Sequence, residues 1–210
     1  MQIKQTPQKT LVLTKTKIIM KNIITLFAAL LAISCKSQIV SLEQAAQCRD
    51  NPSCPVNYNY VKDLNNTLNK YIGTWKGTYN GRVYEMKFNK SLYDDDMGMK
   101  KDEIKGRLRI STTGNLPLVI FDNFNEPDDS KTHFSGLGLT TDLQGYRMIF
   151  AGPVPEGCIN HGTVSLLIDP NTPNQMKVKY WSYNDIVVGD CPSTFSQTFP
   201  EQQEILLTRQ

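Results

Sequence analysis

Apolar and polar residues alternate along much of the chain between residues 73 and 209, which is the pattern of β-strands. The clearest case is the segment 104–110, where small or apolar residues alternate with lysine and arginine. Such a strand has one buried face and one solvated face. The other segments expected to form strands are 73–79, 83–88, 116–121, 132–140, 145–151, 163–168, 176–180 and 204–209.

The first two of these segments predict a β-hairpin. Asn80 and Gly81 stand between them and suit a type I′ turn, in which both central residues take positive φ. Each strand then presents its larger apolar side chains on one face. That face consists of Trp75, Gly77, Tyr79, Tyr84, Met86 and Phe88.

Eight to nine strands joined by turn-rich connections predict an all-β, antiparallel fold, either a closed barrel or, alternatively, a β-sandwich. A single sheet of this length is expected to close on itself or to pack on another sheet. Gly136 and Gly138 lie within one strand and predict a bend there. Short helical segments are expected earlier, after the weak capping box Ser41–Gln44 and over residues 61–71.

The N-terminal 35 residues predict a bacterial lipoprotein signal peptide. Met20-Lys-Asn is a short basic segment, and the predominantly apolar run that follows spans 11 residues, Ile23 to Ile33. A membrane-spanning helix needs roughly 20. Ala32-Ile-Ser-Cys35 places a small residue before a cysteine, so Cys35 is the expected acylation site and membrane anchor. The alternative is an ordinary secretory signal, and translation could begin at Met1 or Met20.

These features divide the chain into three parts. Residues 1–35 are the expected signal peptide, residues 36–70 a tether with a short helix, and residues 71–210 a β-barrel domain. The expected location is the bacterial cell envelope, with the protein anchored by lipid to the outer membrane or secreted to the periplasm.

Five cysteines are present, and assigning Cys35 to a lipid leaves four. Outside the inner membrane, an even set indicates disulfides, and three connectivities are possible. The short, turn-rich segment between Cys48 and Cys54 favours that pair, which leaves Cys158 with Cys191. A four-thiolate metal site is the competing interpretation, but zinc sites prefer spacers of about two to four residues.

The formal net charge of +3 comes from the N-terminal segment. Beyond residue 35 the chain has 18 basic and 20 acidic residues, which does not favour nucleic-acid binding. His133 and His161 are not spaced as metal ligands, and no nucleophile or nucleotide-binding motif is found. The acidic segment 122–129 offers carboxylates, but it is typical of a solvated loop. We therefore expect no enzymatic activity, metal or cofactor.

The segment Leu68-Asn-Lys-Tyr-Ile-Gly-Thr-Trp-Lys76 resembles the start of lipocalin and fatty-acid-binding-protein barrels. In those families the tryptophan closes one end of the barrel, and an arginine of the last strand lies across it. The resemblance therefore implies a cation–π contact between Trp75 and Arg209. The segment 21–38, together with the Gly-Thr-Trp motif, also resembles a group of small Bacteroidota lipoproteins, which implies an envelope location.

Two functions are compatible with this sequence. In the first, the barrel holds a small apolar or amphipathic ligand, and the lining residues are Tyr79, Tyr84, Met86, Phe88, Leu108, Phe150, Met176 and Tyr180. In the second, the barrel is filled by its own side chains, and the loops 89–102 and 184–196 contact another envelope component. The exposed contact residues would then be Trp181, Tyr183, Ile186, Val187 and Val188.

Overall fold

The computed structural model describes residues 39–49, 51, 53–54, 58–95 and 97–210. Cys35 and the rest of the expected signal peptide lie outside the described residues. The described ranges contain eleven β-strands, one α-helix, and short 3₁₀ helices at Thr67–Lys70 and Asp129–Lys131. The prediction of a mainly β fold is confirmed.

The elements follow one another without long helical connections. The helix α1 spans Leu42–Cys48. The strands are β1 (Ile39–Ser41), β2 (Tyr60–Lys62), β3 (Gly73–Tyr79), β4 (Arg82–Asp94), β5 (Lys100–Thr112), β6 (Val119–Asp122), β7 (Phe134–Leu139), β8 (Gly145–Ala151), β9 (His161–Leu167), β10 (Gln175–Ser182) and β11 (Glu204–Arg209). Their order in the sheet is β1-β2-β5-β4-β3-β11-β10-β9-β8-β7, with β6 paired to β5 outside this path.

The predicted hairpin is present as β3 and β4. Tyr79 pairs with Arg82, and the two turn residues between them, Asn80 and Gly81, have φ values of 44° and 73°. Both angles are positive, as a type I′ turn requires. The register also places Trp75 opposite Met86, on the apolar face of the hairpin.

The predicted loop over residues 89–102 is wrong in most of its length. β4 and β5 remain paired from Arg82 opposite Thr112 to Asp94 opposite Lys100, so the turn is confined to the residues between these strands. Asp95 Oδ1 accepts hydrogen bonds from the backbone N–H groups of Met97 and Met99 at 3.0 and 2.7 Å. Asp95 therefore closes a turn at the end of two long strands, and the polar composition of this segment hides the strand pattern.

The N-terminal part of the described chain belongs to the same sheet. Ser41 caps α1 by accepting a hydrogen bond from the backbone N–H of Gln44, as the capping box predicts. β1 pairs in parallel with β2, and β2 pairs in parallel with β5, so the sheet is mixed and not purely antiparallel. The second expected helix is reduced to the 3₁₀ turn at Thr67–Lys70.

The predicted closed barrel is wrong, and so is the two-sheet sandwich. The strands form a single open sheet, and no backbone ladder joins β5 to β7. The two strands nevertheless approach each other closely. A Cβ atom on Gly136 of β7 would lie 2.9 Å from Glu103 Cβ of β5, so a glycine is required at this position.

Side chains form hydrogen bonds with backbone groups of β5 and β7 that would pair with each other in a closed barrel. The Ile104 N–H of β5 donates to the Tyr146 hydroxyl at 3.1 Å. On β7, the Gly136 carbonyl accepts from Lys101 Nζ at 2.6 Å, and the Leu139 carbonyl accepts from Arg49 Nη2 at 3.0 Å. A register shift between Gly136 and Gly138 bends β7, as predicted from its glycines. The facing edges of β5 and β7 are therefore capped by side chains, which also discourages pairing with other chains.

Candidate functional site

The residues proposed to line a ligand cavity lie in a packed core. Seven of the eight have side chains that are at most 1% exposed, and Tyr79 is half-buried. The seven are Tyr84, Met86, Phe88, Leu108, Phe150, Met176 and Tyr180. They belong to a continuous cluster of buried apolar residues.

Phe199 lies at the centre of the aromatic part of this core. Its ring is 5.1 Å from that of Phe150 and 5.7 Å from that of Tyr180, measured between centroids. Tyr84 and Phe134 contact it at 6.1 and 6.0 Å. Phe199 comes from the long segment between β10 and β11, so a residue outside the strands fills the space among their inward side chains.

Hydrogen bonds hold the segment that carries Phe199. The buried Asn160 accepts a hydrogen bond from the Thr198 backbone N–H at 3.0 Å and donates to the Thr198 hydroxyl at 2.9 Å. A second bond runs from Asn160 Nδ2 to the Pro153 carbonyl at 2.9 Å. Burial, together with the nearby Glu201 carboxylate, raises the pKa of the neighbouring Tyr180 to about 12. The hydrogen bonds of Asn160 hold the segment that carries Phe199 in place, so that Phe199 acts as the central plug of the core. Tyr180 stays neutral at physiological pH.

The contact implied by the lipocalin resemblance is present. The Arg209 guanidinium carbon lies 4.2 Å from the centroid of the fully buried Trp75 ring. Arg209 also donates hydrogen bonds of 2.6 Å to the carbonyls of Ile72 and Lys70. A buried cation–π pair of this kind contributes about 1 to 2 kcal/mol. It joins the last strand to the start of β3, so its role is structural.

Four of the five residues proposed as a contact surface are exposed, and the expected exposure of Trp181 is wrong. Ile186 is 100% exposed and Val188 is 81% exposed, while Val187 and Tyr183 are exposed by 42% and 37%. Trp181, at the end of β10, is half-buried. We name residues 183–191 the apolar loop. Three consecutive aliphatic residues are exposed here, two of them almost completely, which is typical of an interaction site.

The apolar loop is attached to the sheet at both ends. At its start, the Tyr183 N–H donates to the His161 carbonyl at 3.1 Å, and the His161 ring contacts the Asp185 carboxylate. At its end, the predicted disulfide joins Cys191 to Cys158. The other predicted disulfide, between Cys48 and Cys54, follows α1 at the far edge of the sheet. The loop is thus held in position although its central side chains contact little.

Two parts of this arrangement are missed by sequence reasoning. Phe199 stands between Thr198 and Pro200 in a polar segment without periodicity, so no pattern marks it as core. The contact between His161 and Asp185 joins residues 24 positions apart, and the sequence carries no motif for it.

The acidic residues and the histidine that the sequence offers as possible catalytic or metal-binding groups form contacts within the fold. Asp122 and Asp129 form ion pairs with Arg109 and Arg107 at 2.9 and 2.7 Å. His133 Nδ1 lies 2.7 Å from the Ala151 carbonyl oxygen. Among the residues with described positions, no three potential ligands from His, Cys, Asp and Glu are grouped as a metal site requires.

The fold and this site define a class: an all-β protein whose described residues form a packed core, two disulfides and an exposed apolar loop fixed beside the sheet. Residues 20–189 match the model of a family described as a family of unknown function (DUF6705). This match covers most of the chain, and the protein belongs to that family. Neither the curated proteins nor the solved structures contain a match. In the described ranges, no helix combines the length and apolar character needed to cross a membrane.

Proposed function

We propose that this protein is a lipid-anchored component of the bacterial cell envelope that binds another envelope protein through the apolar loop. The observation that carries the proposal is the full exposure of Ile186 beside Val188, in a loop fixed by Cys158–Cys191. A loop held near its bound conformation loses less conformational entropy on binding than a free one. The disulfide therefore favours recognition by this segment.

The packed interior supports a binding module over a carrier of ligands inside the sheet. Phe199 and its aromatic neighbours occupy the volume that an internal ligand would need. Opening this space would expose several aromatic side chains to water, at a cost of about 25 cal/mol for each Å² of apolar surface. A surface loop can bind without that cost.

The charges of the loop indicate the chemistry of the partner. Asp185 and Asp190 lie on either side of the aliphatic residues 186–188, and both are exposed. Asp185 contacts His161, whereas no ion pair to Asp190 is found within the described ranges. The complementary surface is an apolar recess with lysine or arginine at its rim, because charges of opposite sign at a rim increase the association rate.

Two observations support the envelope location. The apolar run Ile23 to Ile33 has the length of a signal-peptide segment, and it is followed by a small residue and Cys35, although Ala32 stands where lipoprotein signals usually have leucine. The four other cysteines form two disulfides, which persist mainly outside the cytoplasm.

A photo-crosslinking amino acid at position 186 should yield a discrete crosslinked product in intact cells. Ile186 makes no buried contact, so the replacement should leave the fold unchanged. The product is detected by a shift in electrophoretic mobility, and mass spectrometry of the product identifies the partner. Changing Val188 to aspartate in the same chain should remove the product, because a charge would enter the apolar contact.

The matched control carries the same amino acid at Met97, which is 92% exposed in the turn after β4. This position should give little or no product. Equal crosslinking at positions 97 and 186, or no product at 186 when the protein is present at its normal level, would contradict the proposal.

Cys35→Ala should release the protein from the membrane fraction, because the expected acylation site is lost. Fractionation and intact-mass measurement test this result, and the unmodified chain should carry additional mass equal to its lipid groups. If the variant stays in the membrane fraction with a mass changed only by the substitution, the lipid anchor is disproved. The crosslinking result at position 186 can still hold in that case.

A further inference from the structure

A second exposed apolar segment leads into β6, which pairs with β5 alone among the described strands. Its four aliphatic side chains are largely exposed: Leu116 by 90%, Leu118 by 71%, Val119 by 62% and Ile120 by 47%. We name residues 116–120 the β6 patch. It exposes on the order of 500 Å² of mainly apolar surface, as much as the largest patch on a typical monomer. Apolar patches of this size commonly mark interaction surfaces.

The outer edge of β6 is free for backbone pairing. On the other side, the Thr112 N–H of β5 donates to the Leu118 carbonyl at 2.9 Å, and Val119 and Phe121 lie opposite consecutive residues of β5. Ile120 between them has no counterpart. Within the described ranges, no other strand pairs with β6, and no backbone hydrogen bond joins Val119 or Ile120 to a residue outside β5. An edge of this kind can pair with a strand of another chain.

The residues that follow the β6 patch hold it in position. Phe121 packs against the core, with its ring centroid 6.3 Å from that of Phe150. The next residue, Asp122, lies 2.9 Å from Arg109 Nε of β5. These contacts fix the backbone of β6. A partner would therefore meet a strand that is already formed, which reduces the entropy cost of binding.

The charges beside the β6 patch compensate one another. A groove next to Val119 has four charged residues among its described lining, Lys76, Glu85, Arg109 and Asp122. Lys76 Nζ lies 3.2 Å from Glu85, and Arg109 Nε lies 2.9 Å from Asp122. The patch itself contains no charged residue, although lysine or other charges usually protect exposed edge strands. Two such surfaces would not repel each other, which favours a second copy of this chain as the partner.

We propose that the β6 patch joins two copies of this chain through antiparallel pairing of their β6 strands. Two identical antiparallel strands are related by a two-fold axis, so one surface supplies both sides of the contact. Backbone hydrogen bonds join the strands, and the aliphatic side chains of each copy cover those of the other. The two patches together bury about 1,000 Å², which reaches the lower limit for a specific interface. This contact is independent of the function proposed for the apolar loop.

The test is photo-crosslinking in intact cells between two full-length versions of the chain that carry different tags. A photo-crosslinking amino acid replaces Leu118 in one version, where the exposed side chain tolerates the change. Irradiation should give a product that carries both tags, and mass spectrometry should map the crosslink to residues 116–122 of the second copy. Absence of this product, a crosslink to another part of the second copy, or a product formed only with a different protein would overturn the proposal.

Two substitutions, each made in both versions, test the contact. Ile120→Lys places a charge at the paired edge and should lower the yield of the two-tag product at least about tenfold, because the ammonium group would lose its hydration. Leu116→Lys should lower the yield in the same direction. Leu116 precedes β6, so this variant keeps the test informative if Ile120→Lys disturbs the pairing of β6 with β5. An unchanged yield in both variants would overturn the proposal.

The matched controls are Leu206→Lys and Val188→Asp. Leu206 is 47% exposed, as Ile120 is, but it lies on β11, which has a paired strand on each side. Val188 belongs to the apolar loop. Both controls should give the two-tag product within about twofold of the unmodified yield. If Leu206→Lys lowers the yield as much as Ile120→Lys, the effect is nonspecific, and if Val188→Asp removes the product, the copies meet through the apolar loop. Either result overturns the proposal.

Discussion

Phe199→Ala should lower the free energy of unfolding by about 3 to 5 kcal/mol, the usual cost of removing a fully buried phenylalanine. Phe199 is 1% exposed, and four aromatic residues from β4, β7, β8 and β10 surround it. These strands are fixed by their ladders, so they cannot move inward to fill the space. The loss is measured by urea unfolding followed by circular dichroism.

The control is Phe195→Ala, the same chemical change four residues earlier in the same segment, where the side chain is half-buried. It should cost well under half as much. Phe199→Leu leaves a smaller void and should cost about 1 to 2 kcal/mol, which keeps the test informative if the alanine variant does not fold. Similar losses for Phe195→Ala and Phe199→Ala would show that Phe199 is not the central plug.

Replacing both Cys158 and Cys191 by serine should lower the free energy of unfolding by about 3 to 4 kcal/mol and should also reduce crosslinking from position 186. The two cysteines are 33 residues apart, so their bond removes much of the conformational entropy of the unfolded chain. The same bond fixes the end of the apolar loop. Urea unfolding and the crosslinking yield give the two readouts.

The matched control replaces Cys48 and Cys54 by serine. These residues are 6 positions apart, so the chain-entropy estimate is about 2 kcal/mol. The control should leave crosslinking from position 186 unchanged, because this bond lies beside α1. If both pairs of substitutions affect the crosslink equally, general destabilisation explains the result, and the disulfide has no specific role in presenting the loop.

Local rules account for much of the fold. Alternation in residues 104–110 predicts the buried apolar face of β5, and Asn80-Gly81 predicts the turn of the β3–β4 hairpin, because each signal lies within a few consecutive residues. The face of β5 expected to be solvated is wrong at Arg107, which is buried and paired with Asp129. The disulfide pairs follow from the short spacing of Cys48 and Cys54 and the need to pair the remaining two.

Closure of the sheet could not be predicted in this way. It depends on whether β5 and β7 share a backbone ladder, and these strands are separated by 21 residues of intervening chain. Whether this ladder forms depends on single side chains from other elements, above all Tyr146, whose hydroxyl accepts the hydrogen bond of the Ile104 N–H. Alternation describes the faces of a strand and carries no information on which edge groups are already occupied.

At the candidate site too, local sequence patterns predict some features, and contacts between distant residues determine the others. The exposure of Ile186 and Val188 could be predicted because a short aliphatic run between aspartates and asparagine has no strand or helix pattern to bury it. The position of Phe199 could not, because its aromatic neighbours come from β4, β7, β8 and β10, which only the folded sheet brings together.

The positions of the two tryptophans provide separate optical probes of the molecule. Trp75 is fully buried with the Arg209 guanidinium against its ring, so its fluorescence should be blue-shifted and should report on unfolding of the whole sheet. Trp181 is half-buried just before the apolar loop, with Lys179 Nζ 5.1 Å from its ring. Emission at longer wavelength therefore belongs to Trp181, and a change confined to that part of the spectrum marks an event at the loop while the core stays intact.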